Sequence, residues 1–207
     1  MCNLYRMAQS VGEVAEWFRA VDRAGGANLG SEVYPGYPGL VVASGEVQAM
    51  HWGFPLERKN AKGEALKPKP VNNTRTDKLD SFFWRKSFVK RRCLIPLSAW
   101  AEAEGKKGAM TRTWLSLPDT PLFAVAGIWD ESPQWGRVYS MVMTDASGDA
   151  ADVHSRMPVV LEPASYELWT AGPPDAAMEL CAPYAGKLTI DRTDEPWSGH
   201  ARQASLF

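Results

Sequence analysis

The second half of this chain of 207 residues is a succession of short apolar runs, each closed by turn residues and too short for a globular helix. Residues 93–97, 99–103, 111–117, 122–129, 137–144 and 157–161 are such runs. Gly105-Lys106-Lys107-Gly108 supplies a hairpin turn between the second and third. Earlier, residues 40–43 and 46–52 read as another hairpin around Ser44-Gly45. Helical periodicity is confined to the flanks. Residues 10–24 place Val11, Val14, Ala15, Phe18 and Val21 on one face, with Ser10 and Glu13 as a capping box and Gly25-Gly26 as the stop. Pro163 opens a second helix to about residue 170, and Pro174 a third to about 180. Residues 57–71 are polar and basic and read as one long loop. No repeat or linker divides the chain. The expectation is an α+β fold: a single domain over 1–207 whose mainly antiparallel, barrel-like sheet is flanked by helices, with a flexible tail from about residue 197.

Lys and Arg number 23 against 24 Asp and Glu, for a net charge of −1. That balance argues against wholesale nucleic-acid coating and leaves room for a local basic groove. Cys2, Cys93 and Cys181 show neither metal spacing nor an even disulfide framework, which reads as reduced cytoplasmic thiols. No run approaches transmembrane length and no signal peptide is evident.

Cys2 directly follows the initiator methionine. Removal of Met1 leaves a 1,2-aminothiol, a specific reagent for aldehydes: the amine forms an imine and the thiol closes a thiazolidine. An α-amine has a pKa of about 8, so roughly a tenth is unprotonated at neutrality, far more than for lysine. The closure is intramolecular and gains the corresponding effective molarity. Three other side chains suit such chemistry. Glu102 shares a strand face with Ser98 and Trp100, where a carboxyl beside an indole has a raised pKa; the alternative is an exposed hairpin Glu. His154, in a loop before a strand, suits proton transfer, or is structural. Asn73 can donate and accept. Arg75 and Arg156 each lie two residues after one of these candidates and offer forked bonds to phosphate, or surface ion pairs.

Taken in order, Met1-Cys2, Tyr34 to Pro38, Trp52-Gly53-Phe54-Pro55, Asn73-Thr74-Arg75, Arg92-Cys93-Leu94-Ile95-Pro96 with Trp100-Ala101-Glu102, and His154-Ser155-Arg156-Met157-Pro158 form a set. The set resembles the SOS response-associated peptidase family, whose members crosslink to abasic DNA, and spans Cys2 to about Leu161. The resemblance implies single-stranded DNA bearing abasic sites as partner, a monomer at the nucleoid, and no metal or organic cofactor. It implies Cys2 as the reacting residue, Asn73 holding the terminus, and Glu102 and His154 moving protons. It also implies Arg75 and Arg156 on phosphates, with Pro38 and Trp52 against splayed bases. Two departures stand out. An early arginine of many members is absent, with Arg6 close by as a substitute, and a Trp-rich stretch is replaced by Leu56-Glu57-Arg58-Lys59. A terminal-cysteine hydrolase and a non-catalytic DNA-binding module are the competing readings; a stable protein–DNA adduct discriminates them.

The final residues, Gln203-Ala204-Ser205-Leu206-Phe207, resemble the Gln-x-x-Leu-Phe motif that binds bacterial sliding clamps. Gln203 would enter a polar pocket, and Leu206 and Phe207 an apolar one. The alternative is that Leu206 and Phe207 dock on the chain's own core.

Overall fold

A computed structural model describes residues 2–27 and 29–197. The expected flexible tail and the clamp-like residues Gln203, Leu206 and Phe207 lie outside the described residues, as does Met1. Strand Gly136–Asp145 is the hinge of the architecture. It pairs antiparallel with Phe123–Ser132, which pairs with Arg92–Leu97, which touches Pro38–Ala43, which pairs with Glu46–Trp52. Glu46–Trp52 then pairs in parallel with Gly136–Asp145 through Val138↔His51 and Tyr139↔Trp52, closing the ring. The inward residues are the alternating Val, Ile, Ala and Met of these strands, nearly all fully buried. Closure removes the unpaired edges that an open sheet would expose.

The chain leaves the barrel at Ser98. Ala99–Glu104 joins a second, antiparallel sheet with Tyr5–Arg6, Glu32–Val33, Thr111–Ser116 and Thr189–Pro196. The amino terminus is therefore threaded between barrel and second sheet. Helices Tyr166–Ala171 and Pro174–Glu179 pack on the barrel. Buried Arg92 donates to the carbonyls of Phe88, Trp169 and Gly172, which satisfies the ends of two helices and explains an arginine inside an apolar run.

Several expectations hold and others are corrected. The Ser10–Glu13 capping box is present, but the helix spans only Val11–Trp17. Arg19 adopts a left-handed conformation and Ala20 donates back to Ala15, so the chain turns into the short strand Val21–Asp22. Residues 57–71 are no loop: Phe54–Lys59 and Ala65–Val71 form a two-stranded ribbon. Asn60 organises its turn, its side chain accepting from Lys62 and Glu64. Residues 157–161 do not form one strand. Arg156–Pro158 pairs with Met143–Asp145 and Val160–Leu161 with Ala124–Val125; Val159, bonded to Val142 and Ala126, carries the chain from one neighbour to the other.

Gly39 shows how tightly the junction is built. Buried Tyr5 and Tyr139 meet hydroxyl to hydroxyl at 2.5 Å, and a Cβ on Gly39 would collide with both oxygens. Gly39→Ala is expected to cost about 1–3 kcal/mol, the usual range for overpacking. The check is a thermal melt followed by circular dichroism; an unchanged midpoint would contradict the packing described.

Candidate active site

Cys2 is fully buried where barrel and second sheet meet. Its carbonyl accepts from Asn73 Nδ2 at 2.7 Å and from Asn72 Nδ2 at 3.0 Å. Asn72 Nδ2 also reaches Asn3 Oδ1 at 3.1 Å. Two amides thus fix the Cys2–Asn3 peptide. Asn73 is presented by strand Asn73–Arg75, paired in parallel with Met141–Met143. Thr74 turns the other way, where its hydroxyl meets Ser140 Oγ at 2.8 Å in the interior. Asn72 escaped the sequence reading; the doublet Asn72-Asn73 was the available signal. Among the described residues, the buried Asn73 Oδ1 has no hydrogen-bond partner.

Glu102 is 3 % exposed on Ala99–Glu104, opposite Thr113. Burial pushes its carboxyl up to about 7, with the chain's amino-terminal charge pulling the other way. Burial, and then the nearby Glu102, hold the Cys2 thiol far above its usual range, so it is neutral; its Sγ donates to the Leu4 carbonyl at 3.3 Å. His154 Nδ1 accepts the Arg156 backbone N–H at 2.9 Å, which places the proton of the neutral ring on Nε2. Burial, followed by the amino-terminal charge, lowers its pKa. Cys2, Glu102 and His154 each feel the amino-terminal charge, and Glu102 also acts on the Cys2 thiol, so the three share one neighbourhood.

Arg75 and Arg156 flank the end of Gly136–Asp145. Arg75 lies opposite Met143 and binds Asp77 with two bonds, at 2.8 and 2.6 Å. Arg156 lies opposite Asp145 and pairs with it at 3.3 Å. Both arginines act on Asp77, so they form one patch.

One expectation is corrected. Trp52 is fully buried, 5.0 Å from Tyr5 edge-on and 6.4 Å from Tyr139 in a stack, with Nε1 donating to the Asn72 carbonyl at 2.8 Å. Strand alternation turns Trp52 inward and His51 outward. Trp52 therefore anchors the asparagine doublet and presents no face to a base. Arg6 lies in the second sheet. Its guanidinium pairs with Glu32 at 3.3 Å and lies 4.0 Å over Trp114, among the residues of the second sheet. Pro38 is exposed, opposite His51. Among the described residues, no group of three or more His, Cys, Asp or Glu could hold a metal ion, and no helix is long and apolar enough to cross a membrane.

The chain matches the family described as SOS response associated peptidase (SRAP) over residues 1–195, and it belongs to that family. It is 30% identical over 135 residues to the abasic site processing protein YoqW of Bacillus subtilis, covering 60% of this chain and 54% of YoqW. It is also 30% identical over 129 residues to the abasic site processing protein YMR114C of Saccharomyces cerevisiae, covering 60% of this chain and 34% of that protein. The chain thus matches about half the length, or less, of these curated relatives. Crystal structures of a Bacteroides thetaiotaomicron protein (TM-score 0.77, 19% identity, 92% of this chain and 91% of that one) and a Bordetella bronchiseptica protein (TM-score 0.76, 23%, 93% and 99%) share the fold.

Proposed function

We propose that this chain captures abasic sites in single-stranded DNA by forming a thiazolidine through Cys2. The observation that carries the reading is buried Cys2, held through its carbonyl by Asn73, with buried Glu102 close enough to act on its thiol. The abasic-site processing named for two relatives supports it.

Removal of Met1, by the chain itself or by an aminopeptidase, creates the reacting amine. The Asn73 Oδ1 acceptor can then hold that amine with its lone pair directed at the sugar. His154 moves the C1′ hydroxyl proton to the ring oxygen, opening the deoxyribose to its aldehyde. The amine adds to C1′, giving a carbinolamine. Protonated Glu102 donates to its hydroxyl, water leaves and an iminium forms. The neutral Cys2 thiol adds to the iminium carbon, the C=N electron pair returns to nitrogen, and the thiol proton goes to the Glu102 carboxylate. One water is lost and Glu102 returns to its starting state. A carboxyl poised near 7 can both give and take this proton at neutral pH.

The test is a denaturing gel of processed protein with a single-stranded oligonucleotide carrying one abasic site. A retarded, heat-stable species is expected with that DNA and none with its undamaged counterpart. Hydrolysis of a peptide or amide without an adduct, or reversible binding alone, would overturn the reading.

Arg75 and Arg156 seat the flanking phosphates in this proposal. Arg75→Ala and Arg156→Ala should each weaken binding on the order of tenfold. Each should also reduce the slope of log affinity against log salt by about 0.7, as for one lost single-strand phosphate contact. Unchanged salt slopes in titrations would remove them from the DNA path. Tethering to a sliding clamp through Gln203, Leu206 and Phe207 would raise the local concentration at forks. Calorimetric titration of a clamp with the tail peptide checks this: heat is expected, and its loss on Leu206→Ala/Phe207→Ala.

A further inference from the structure

A groove of about 580 Å³ that the chemistry above does not use opens beside the turn from Tyr34 to Tyr37. Its position follows from hydrogen bonds. Gly36, which lines the groove, donates to the Trp52 carbonyl at 2.7 Å, and Trp52 Nε1 donates to the Asn72 carbonyl at 2.8 Å, so one wall adjoins the doublet that holds Cys2. The other wall is the ribbon Phe54–Lys59/Ala65–Val71, whose Lys67 and Pro70 line it. Pro70 stands two residues before Asn72, so groove and asparagine doublet lie on one continuous piece of chain. Tyr37, His51 and Trp135 supply aromatic surface; Tyr37 is 43% exposed and Trp135 is half-buried.

Charge and shape select the occupant. The ribbon and its turn carry Arg58, Lys59, Lys62, Lys67 and Lys69 against Glu57 and Glu64, a local excess of cations on a chain whose net charge is −1. Flat aromatic faces beside such charge suit a nucleobase attached to a phosphate. The volume lies within the ~300–1,000 Å³ common to small ligand sites. Trp52 cannot supply this stacking because it is buried, whereas its strand neighbour His51 faces the groove.

We propose that this groove seats a nucleotide flanking the abasic residue, its base packed on Tyr37 and Trp135 and its phosphate beside Lys67. The inference rests on the single-stranded DNA reading above and assigns that substrate a subsite.

The test uses fluorescence anisotropy with single-stranded oligonucleotides carrying a tetrahydrofuran abasic analogue, which binds but cannot open to an aldehyde. Tyr37→Ala/Trp135→Ala is expected to raise Kd about five- to a hundredfold, the range for losing one stacked base. Trp135→Phe should restore most of the affinity, and Lys67→Ala should lower the salt slope by about 0.7. Adduct formation at saturating authentic abasic DNA should stay within about twofold of wild type, because none of these residues belongs to the reacting set. Trimming the oligonucleotide from each end should abolish the penalty of the double variant on one side only. An unchanged Kd in the double variant, or a penalty indifferent to trimming, would overturn the subsite. Absence of any wild-type adduct with authentic abasic DNA would instead overturn the functional reading, while the anisotropy still decides whether the groove binds a strand.

Discussion

Cys2→Ala protein, once processed, gives no heat-stable adduct with abasic single-stranded DNA and still binds that DNA. The substitution keeps the α-amine, so an imine still forms, but there is no thiol to close the ring. Asn72 and Asn73 hold the residue-2 carbonyl rather than its side chain, so the terminus stays in place in the variant. The residual imine hydrolyses on heating and becomes permanent when borohydride reduces it. The expected pattern is loss of the heat-stable species to background, with recovery of a band in the borohydride lane. A Cys2→Ala adduct as heat-stable as wild type would rule out ring closure.

Glu102→Gln separates chemistry from stability in opposite directions. The amide cannot cycle a proton, and general acid–base assistance is typically worth 10²–10⁴-fold, so adduct formation should slow by at least about a hundredfold. Stability should move the other way at high pH. The folded-state pKa of Glu102 is raised to about 7 by burial, above its unfolded value. The folded state therefore holds a proton that the unfolded state has released between those two values. The contribution of this group is full below the unfolded pKa and is lost as pH rises through about 7. The loss is on the order of 3 kcal/mol by pH 8 for a group this buried. Glutamine has no charge to bury and escapes it. The difference in melting temperature, variant minus wild type, should grow between pH 5 and pH 8. Parallel profiles would mean that Glu102 does not titrate near neutrality.

Much of this arrangement was legible in the sequence because two signals are local. The barrel strands bury one or both faces, so their apolar runs stand out, as in Cys93 to Leu97 and Phe123 to Ile128. The proposed reacting residues stand out by chemistry: a cysteine at position 2 can yield an aminothiol, and Glu102 shares a short apolar strand with Trp100. The ribbon at 54–71 was hidden because it stands largely in solvent, and a strand with little buried face shows no alternation to read. Trp52 was misplaced for a related reason. Whether an aromatic residue faces solvent or core depends on which strand lies next to it. That pairing joins segments far apart in sequence. Asn72 was passed over because its neighbour Asn73 occupied the expected role, and only the geometry shows both amides on one carbonyl.

The central claim is that Cys2, and no other nucleophile of this chain, becomes bonded to the sugar through both nitrogen and sulfur. Digesting the gel-purified adduct with a protease and a nuclease, then sequencing the conjugated peptide by mass spectrometry, tests it most directly. The account predicts a peptide that begins at Cys2 and carries the deoxyribose remnant, at the combined mass less one water, with no free thiol available to alkylation. A remnant on a lysine, or on a peptide that still begins at Met1, would contradict it.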